Sequence, residues 1–139
     1  MNKLSPYLMF NGNCEEAINF YKECFDGDIG YMGRYRDSSM DVAEDQKNKI
    51  MHVEFKFWAG SLMASDVAKG AEYTKEAQSS NIHLSLGFEN LDDMKKTFAT
   101  LSAGGQITLE LKEQFWDSIF GMVTDQFGTQ WMLSCPKQK

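Results

Sequence analysis

The sequence predicts an α+β fold built from two tandem βαβββ modules. Three observations carry that prediction. The chain repeats a short pattern at an offset of 77 residues: Asn13-Cys14-Glu15-Glu16-Ala17 followed by Gly27, and Asn90-Leu91-Asp92-Asp93-Met94 followed by Gly104. In both copies the Asn stands where a helix N-cap belongs, and two acids fall in the first turn, where they meet free N–H groups and the positive end of the helix dipole. An apolar run precedes each Asn and a β-rich stretch follows each Gly. Two halves built alike normally pack around a shared cleft, so the repeat also says where a site is to be sought.

In the first module, Tyr7 to Phe10 reads as a strand and Asn11-Gly12-Asn13 as the turn into a helix that runs to about Phe25. Ala17, Ile18, Tyr21, Cys24 and Phe25 recur at helical spacing and mark the buried face, and Gly27 supplies the stop. Ile29 to Arg36 is a second strand, and the polar, aperiodic stretch Asp37 to Asn48 a mobile loop. From Ile50 to Phe57 the residues alternate, with Met51, Val53, Phe55 and Phe57 on one side and His52, Glu54 and Lys56 on the other. Ala59-Gly60 turns this strand into Ser61 to Asp66, completing a hairpin.

Residues 67–80 carry no apolar stripe and suit a linker. The second module, 81–135, starts with a strand at Ile82 to Phe88, then a helix from Asn90 to about Ala103 with Met94, Phe98 and Leu101 inward, ended by Gly104-Gly105. Ile107 to Lys112, Phe120 to Thr124 and Gln130 to Cys135 follow as strands, the last two joined by a turn at Asp125-Gln126-Phe127-Gly128. The modules 4–66 and 81–135 subdivide a single domain; 139 residues with 42% hydrophobic content suffice for one core.

Charge and composition narrow the function classes. A formal net charge of −6 without a Lys/Arg cluster repels phosphate backbones, so no nucleic-acid partner is expected. No apolar run approaches the roughly 18 residues that span a bilayer, and Met1 to Pro6 lacks a signal-peptide core, so no membrane partner and a cytoplasmic location are expected. Cys14, Cys24 and Cys135 match no zinc or redox spacing and read as reduced interior thiols. Cys14 alone, close behind an N-cap, sits where a helix N-terminus would favour a reactive thiolate.

Several motifs, in order and spacing, carry a family resemblance. They are Phe10-Asn11-Gly12-Asn13-Cys14-Glu15-Glu16-Ala17, Phe20-Tyr21, Met51-His52, Ser65-Asp66, Gly104-Gly105-Gln106-Ile107, Gln114-Phe115-Trp116, Phe120-Gly121, Asp125-Gln126-Phe127-Gly128 and Trp131. From about residue 4 to 135 the chain resembles the PhnB-like branch of the glyoxalase/bleomycin-resistance/dioxygenase (vicinal oxygen chelate) superfamily. The resemblance implies paired βαβββ modules forming a cupped antiparallel/mixed sheet with helices outside, in a homodimer, with a small-molecule cavity on the concave side. Members are sometimes described as 3-demethylubiquinone methyltransferases, yet nothing in the chain looks like a Gly-rich S-adenosylmethionine loop after a strand. Metal-dependent members place four ligands on the first and last strands of the modules, which fall here near Pro6, Ala64, Asn81 and Met132. Only Asn81 offers an oxygen donor, so no metal is expected at these positions and no cofactor is required.

Other residues could supply chemistry. His83 lies two residues from Asn81 and shares its face on a strand; Asp66 has the same relation to Ala64. His52, Asp66 and His83 together hold enough donors for a divalent metal ion, or for a general base, His52, oriented by the Asp66 carboxylate. Trp116, among the polar residues Gln114, Asp117 and Ser118, is placed to stack on a ligand. Met9, Met51, Met63, Met122 and Met132 read as core filler, with an adaptable cavity lining as the alternative. The candidate ligand-binding set is therefore His52, Asp66, Asn81, His83 and Trp116. The leading expectation is a metal-free homodimer binding a small apolar or aromatic molecule. Its alternatives are an enzyme acting on a carbonyl or hydroxylated compound and an interaction dimer without catalysis.

Overall fold

The computed structural model describes residues 3–39, 41–69, 71–72, 81–114 and 117–137. The chain divides into two compact units, Met1–Thr74 and Lys75–Lys139. Each holds one four-stranded sheet and one long helix in the same order. In the first unit, β1 (Tyr7–Phe10), α1 (Cys14–Phe25), β2 (Asp28–Arg34), β3 (Ile50–Phe57) and β4 (Gly60–Asp66) form a sheet ordered β1-β4-β3-β2. In the second, β5 (Leu84–Gly87), α2 (Leu91–Ser102), β6 (Gln106–Glu113), β7 (Ser118–Thr124) and β8 (Gln130–Pro136) repeat that order as β5-β8-β7-β6. The first strand of each module runs parallel to the last, and the remaining pairs are antiparallel. The repeat seen in the sequence is thus a repeat of topology.

Each helix covers one face of its own sheet. α1 buries Cys14, Ala17, Ile18, Tyr21, Cys24 and Phe25 against Val53, Phe55, Leu62 and Ala64, all buried. Phe25 stacks on Phe57 with ring centroids 4.7 Å apart. Side chains of this size each contribute about 1.5–3 kcal/mol on full burial, so the packed face outweighs the propensity of a twelve-residue helix. α2 buries Met94, Thr97, Phe98 and Leu101, over the sheet whose interior holds Val123, Trp131 and Leu133. The inward set read from the sequence gains only Thr97.

The helix ends differ from the sequence reading in instructive ways. Asn90 caps α2 as expected, its side chain accepting from the Asp93 N–H at 2.9 Å. Asn13 occupies the N-cap position of α1 but makes no side-chain cap bond. The Cys14 N–H donates instead to Asp66 Oδ1 on β4, at 2.9 Å. At the other end of α1 the left-handed residue is Asp26, φ 51°, rather than Gly27. Gly27 is needed for a different reason: a Cβ there would lie 2.5 Å from the Phe55 ring and 2.8 Å from the Lys56 carbonyl oxygen.

Strand limits also moved. β2 ends at Arg34 because Tyr35–Asp37 closes into a 3-10 turn. The stretch read as a mobile loop holds a second such turn at Glu44–Gln46. β5 starts at Leu84, not Ile82: its parallel ladder with β8 opens at the Leu84–Trp131 pair, and Ile82 falls opposite Thr129, before β8 begins. The Gln130 side chain takes up the Ile82 carbonyl in place of a ladder bond, at 2.9 Å. Of the stretch read as a linker, 67–80, Val67 belongs to the first module: it is buried and its N–H donates to the Phe10 carbonyl. Positions 70 and 73–80 lie outside the described residues.

Candidate functional site

The first sheet has two unlike faces, and register decides which side chain belongs to which. Val53 pairs with Ala64 and Phe55 with Leu62 across β3 and β4, and paired residues project to the same side. These four face α1. His52 and Glu54, one step out of phase, project from the opposite face, together with Met63, the partner of Glu54. On β1 the partners of Met63 and Ser65 are Tyr7 and Met9, and the Ser65 hydroxyl donates to Met9 Sδ. On β2, Gly33 stands directly across from His52.

Among the described residues of the first unit no helix packs on this second face, and this helix-free face carries a strip of rings. The Tyr7 ring lies 5.6 Å from the His52 ring and the Tyr31 ring 6.2 Å from it. Tyr7 is 42% and Tyr31 54% exposed, so both rings can meet a ligand. The Tyr7 hydroxyl and His52 Nδ1 are 2.9 Å apart. Glu54 Oε2 lies 3.4 Å from His52 Nε2. An ionised carboxylate only accepts, which favours the tautomer with its proton on Nε2, and the Tyr7 hydroxyl then donates to Nδ1. Glu54, His52 and Tyr7 form a row of polar groups flanked by rings.

Asp66 does not join that row. It projects from the α1 side, two residues from Ala64, and is 1% exposed. Its Oδ1 accepts from the Cys14 N–H and its Oδ2 from the Ile50 N–H, both at 2.9 Å. Its backbone carbonyl accepts from the Tyr35 hydroxyl at 2.7 Å. The carboxylate expected to orient His52 instead holds the start of α1 and the start of β3, and Glu54 is the acid beside the imidazole.

The remaining candidates are placed as follows. Asn81 and His83 precede β5 in the second unit; Asn81 is exposed and His83 half-buried. The shared strand face that was to join them is therefore not formed. Trp116 lies outside the described residues. Of the four positions that the resemblance assigns to a metal, Pro6 precedes β1 and its carbonyl accepts from the Met63 N–H. Ala64 faces α1 and so projects away from the helix-free face. Met132 is paired with Ser85 and Met122, out of phase with the buried Trp131 and Leu133. A proline, an alanine and a thioether do not suit a hard divalent cation. Among the described residues no three His, Cys, Asp or Glu side chains gather as a metal-holding group. The donor set does not fit the superfamily metal, and no chemical step is derived through one.

Cys14 is fully buried and unpaired. Burial, then the carboxylates of Asp66 and Glu15, push its thiol far above its ordinary value of 9.0. Burial outweighs the helix N-terminus that suggested a thiolate. Burial, then Asp66, also raises Tyr35 above its ordinary 10.0. The folded state keeps protons that the unfolded state releases, so this stabilisation is complete below about pH 9 and declines as pH rises. Urea unfolding between about pH 8 and pH 10.5 should show stability falling by up to about 1.4 kcal/mol per pH unit from Cys14. Cys14→Ala should delay the fall towards the range where Tyr35 contributes. A flat profile, or one unchanged by Cys14→Ala, would contradict this account.

Elsewhere, Arg34 clasps Glu15 through both Nη atoms at 2.9 and 2.8 Å, and Nη1 also donates to the Asn48 carbonyl at 2.7 Å. The hydrogen bond from Arg34 holds the Glu15 carboxyl below its ordinary value; the pair is solvent-exposed, so it contributes well under about 1 kcal/mol. A cavity of about 310 Å³ lies between the 41–46 loop and Ala68-Lys69, with Tyr35 as a wall. None of the sequence-selected residues lines it.

The comparisons bear on the fold and the motifs just described. The profile of the family described as 3-demethylubiquinone-9 3-methyltransferase matches residues 2–134. The chain belongs to this PhnB-like family. Protein YjdN of Escherichia coli is 32% identical over 146 residues, covering 98% of this chain and 97% of that protein. The crystal structure of PA1353 from Pseudomonas aeruginosa shares 33% identity with a TM-score of 0.88, covering 99% of this chain and all of the other. A PhnB protein from Bacillus cereus shares 26% identity with a TM-score of 0.76, over 96% and 99% of the two chains. At 17% identity and a TM-score of 0.66, a glyoxylase/bleomycin resistance protein/dioxygenase domain from Frankia shares the fold.

The PhnB-like family description names methyl transfer. In this chain the turns into the two helices are Asn11-Gly12-Asn13 and Glu89-Asn90. Neither is the Gly-rich strand-to-helix loop that cradles a nucleotide-type cofactor. Tyr7 and Tyr31 escaped the sequence reading, which placed Glu54 on the same side of its strand as His52 but not in the candidate set. Glu54 had a usable signal, its phase with His52 on β3; Tyr7 had none, because the residue in phase with it on β1 is Met9, and Tyr31 had none, because β2 shifts register between Ile29 and Met32.

Proposed function

We propose that this PhnB-like protein binds a small apolar or aromatic molecule on the helix-free face of its first sheet, without a metal ion and as a homodimer. The observation that carries the reading is the row of Tyr7, His52 and Tyr31. Exposed rings offer area for stacking, and the Tyr7 hydroxyl and Glu54 carboxylate offer polar anchors. The similarity to relatives supports the family and the fold; the ligand is inferred from the site alone.

A thermal-shift screen against small aromatic compounds tests the reading. A ligand at about 100 times its dissociation constant adds about 2.7 kcal/mol, which raises Tm by several degrees. Tyr7→Ala with Tyr31→Ala should remove the shift while leaving the unliganded Tm within a few degrees. No shift with any compound would favour the interaction dimer, and sedimentation reads the oligomeric state directly. Near-stoichiometric metal in protein purified without chelators, lost in His52→Ala or His83→Ala, would overturn the metal-free reading.

A second reading is favoured by the Glu54, His52 and Tyr7 geometry. A carboxylate beside one imidazole nitrogen and a phenol on the other is an arrangement for moving a proton to or from a carbonyl or hydroxylated compound. Here Glu54 takes the orienting role expected of Asp66. Turnover that is lost in both His52→Asn and Tyr7→Phe would support this reading over simple binding.

A further inference from the structure

We infer that the helix-free face of the first sheet selects a flat organic cation over a neutral molecule of the same size. The inference rests on the binding reading above and names the class of ligand. The Glu54 side chain is 47% exposed, and its nearest basic partner is the imidazole of His52. Four acids among the described residues pair with a lysine or arginine, Glu15 with Arg34, Glu44 with Lys47, Asp45 with Lys69 and Glu113 with Lys137; Glu54 is set instead beside His52 and its flanking rings. Among the described residues no Lys or Arg forms an ion pair with Glu54. Lys56 shares its side of β3 but stands exposed opposite Ser61, towards the hairpin end. A neutral imidazole leaves the carboxylate charge uncompensated, and the chain's net charge of −6 adds a favourable background for a cation.

The two tyrosines act in the same direction. A cation over an aromatic face gains from the ring quadrupole in addition to buried area, whereas a neutral ring gains area alone. Gly33 leaves room for Tyr31 to lie here. A Cβ at Gly33 would meet Cε2 and Cζ of Tyr31 at 2.9 Å, so the ring lies over the strand because position 33, directly across from His52, has no side chain. Carboxylate, imidazole and two open rings on one sheet face then present negative potential to a flat ligand.

Equilibrium dialysis compares N-methylquinolinium with neutral quinoline. The expected result is binding of the cation about five-fold tighter or more, a preference that Glu54→Gln reduces by weakening the cation more than quinoline. Tyr31→Leu should weaken the cation more than quinoline. Equal or tighter binding of quinoline would overturn the cation selectivity and leave the small-aromatic reading standing. Absence of binding by either compound would overturn both. A cation preference unchanged by Glu54→Gln would overturn the assignment to this face.

Discussion

Asp66→Ala is expected to destabilise the protein by about 3–5 kcal/mol, a large fraction of the 5–15 kcal/mol typical of a folded domain. The carboxylate accepts from two backbone N–H groups, Cys14 at the first turn of α1 and Ile50 at the start of β3. Both bonds are buried, so water cannot replace the lost acceptor cheaply. The same negative charge also lies at the positive end of the α1 dipole. Asp66→Asn keeps the shape and one carbonyl oxygen but sets an NH2 group against one donor, so it should cost less than alanine yet well over 1 kcal/mol. Urea denaturation measures both. A cost below about 1 kcal/mol for Asp66→Ala would show that these N–H groups find other partners. Removing the carboxylate should also leave Cys14 hard to ionise, since burial is the larger cause of its shift.

Asp125→Ala is expected to cost about 2–4 kcal/mol in the second unit. Asp125 is 3% exposed; its Oδ1 accepts from the Phe127 and Thr129 N–H groups at 2.9 and 3.0 Å. Its Oδ2 accepts from Trp131 Nε1 at 2.8 Å. The turn N–H groups are partly exposed and can turn to water; the Trp131 indole, 1% exposed, cannot. The indole N–H resonance of Trp131 should therefore move more than any other in the variant, and Trp131→Phe, which opens a cavity in either background, should cost less in Asp125→Ala than in the parent because the donor it removes has already lost its acceptor. Equal stability of Asp125→Ala and the parent would contradict this assignment.

The repeated Asn-x-acid-acid pattern and the alternation from Ile50 to Phe57 were enough to place both modules, because periodicity depends on which face is buried and the helices bury one face each. The division of labour at Asp66 was not read. The hairpin itself held the information: a two-residue turn at Ala59-Gly60, as expected, or at Trp58-Ala59, as found, pairs even-numbered residues with odd-numbered ones. Under either, His52 and Asp66 fall on opposite faces. Asp66 read as a site carboxylate orienting His52 because nothing local shows that a carboxylate from β4 will replace Asn13 as the cap of α1. That bond spans 52 positions and exists only once the sheet has formed. Gly27 and Gly33 were legible as glycines but not as close approaches, since the Phe55 and Tyr31 rings come from tertiary packing and a shifted register.

The most direct test of ligand binding on the first sheet is an NMR titration of 13C,15N-labelled protein with quinoline, following the aromatic signals of Tyr7, Tyr31 and His52. The account predicts saturable shifts concentrated at these rings and at the Glu54 amide, with Asp66, Cys14 and the 41–46 loop little changed. Shifts centred on the loop that borders Ala68-Lys69, with Tyr7 and His52 unmoved, would contradict it.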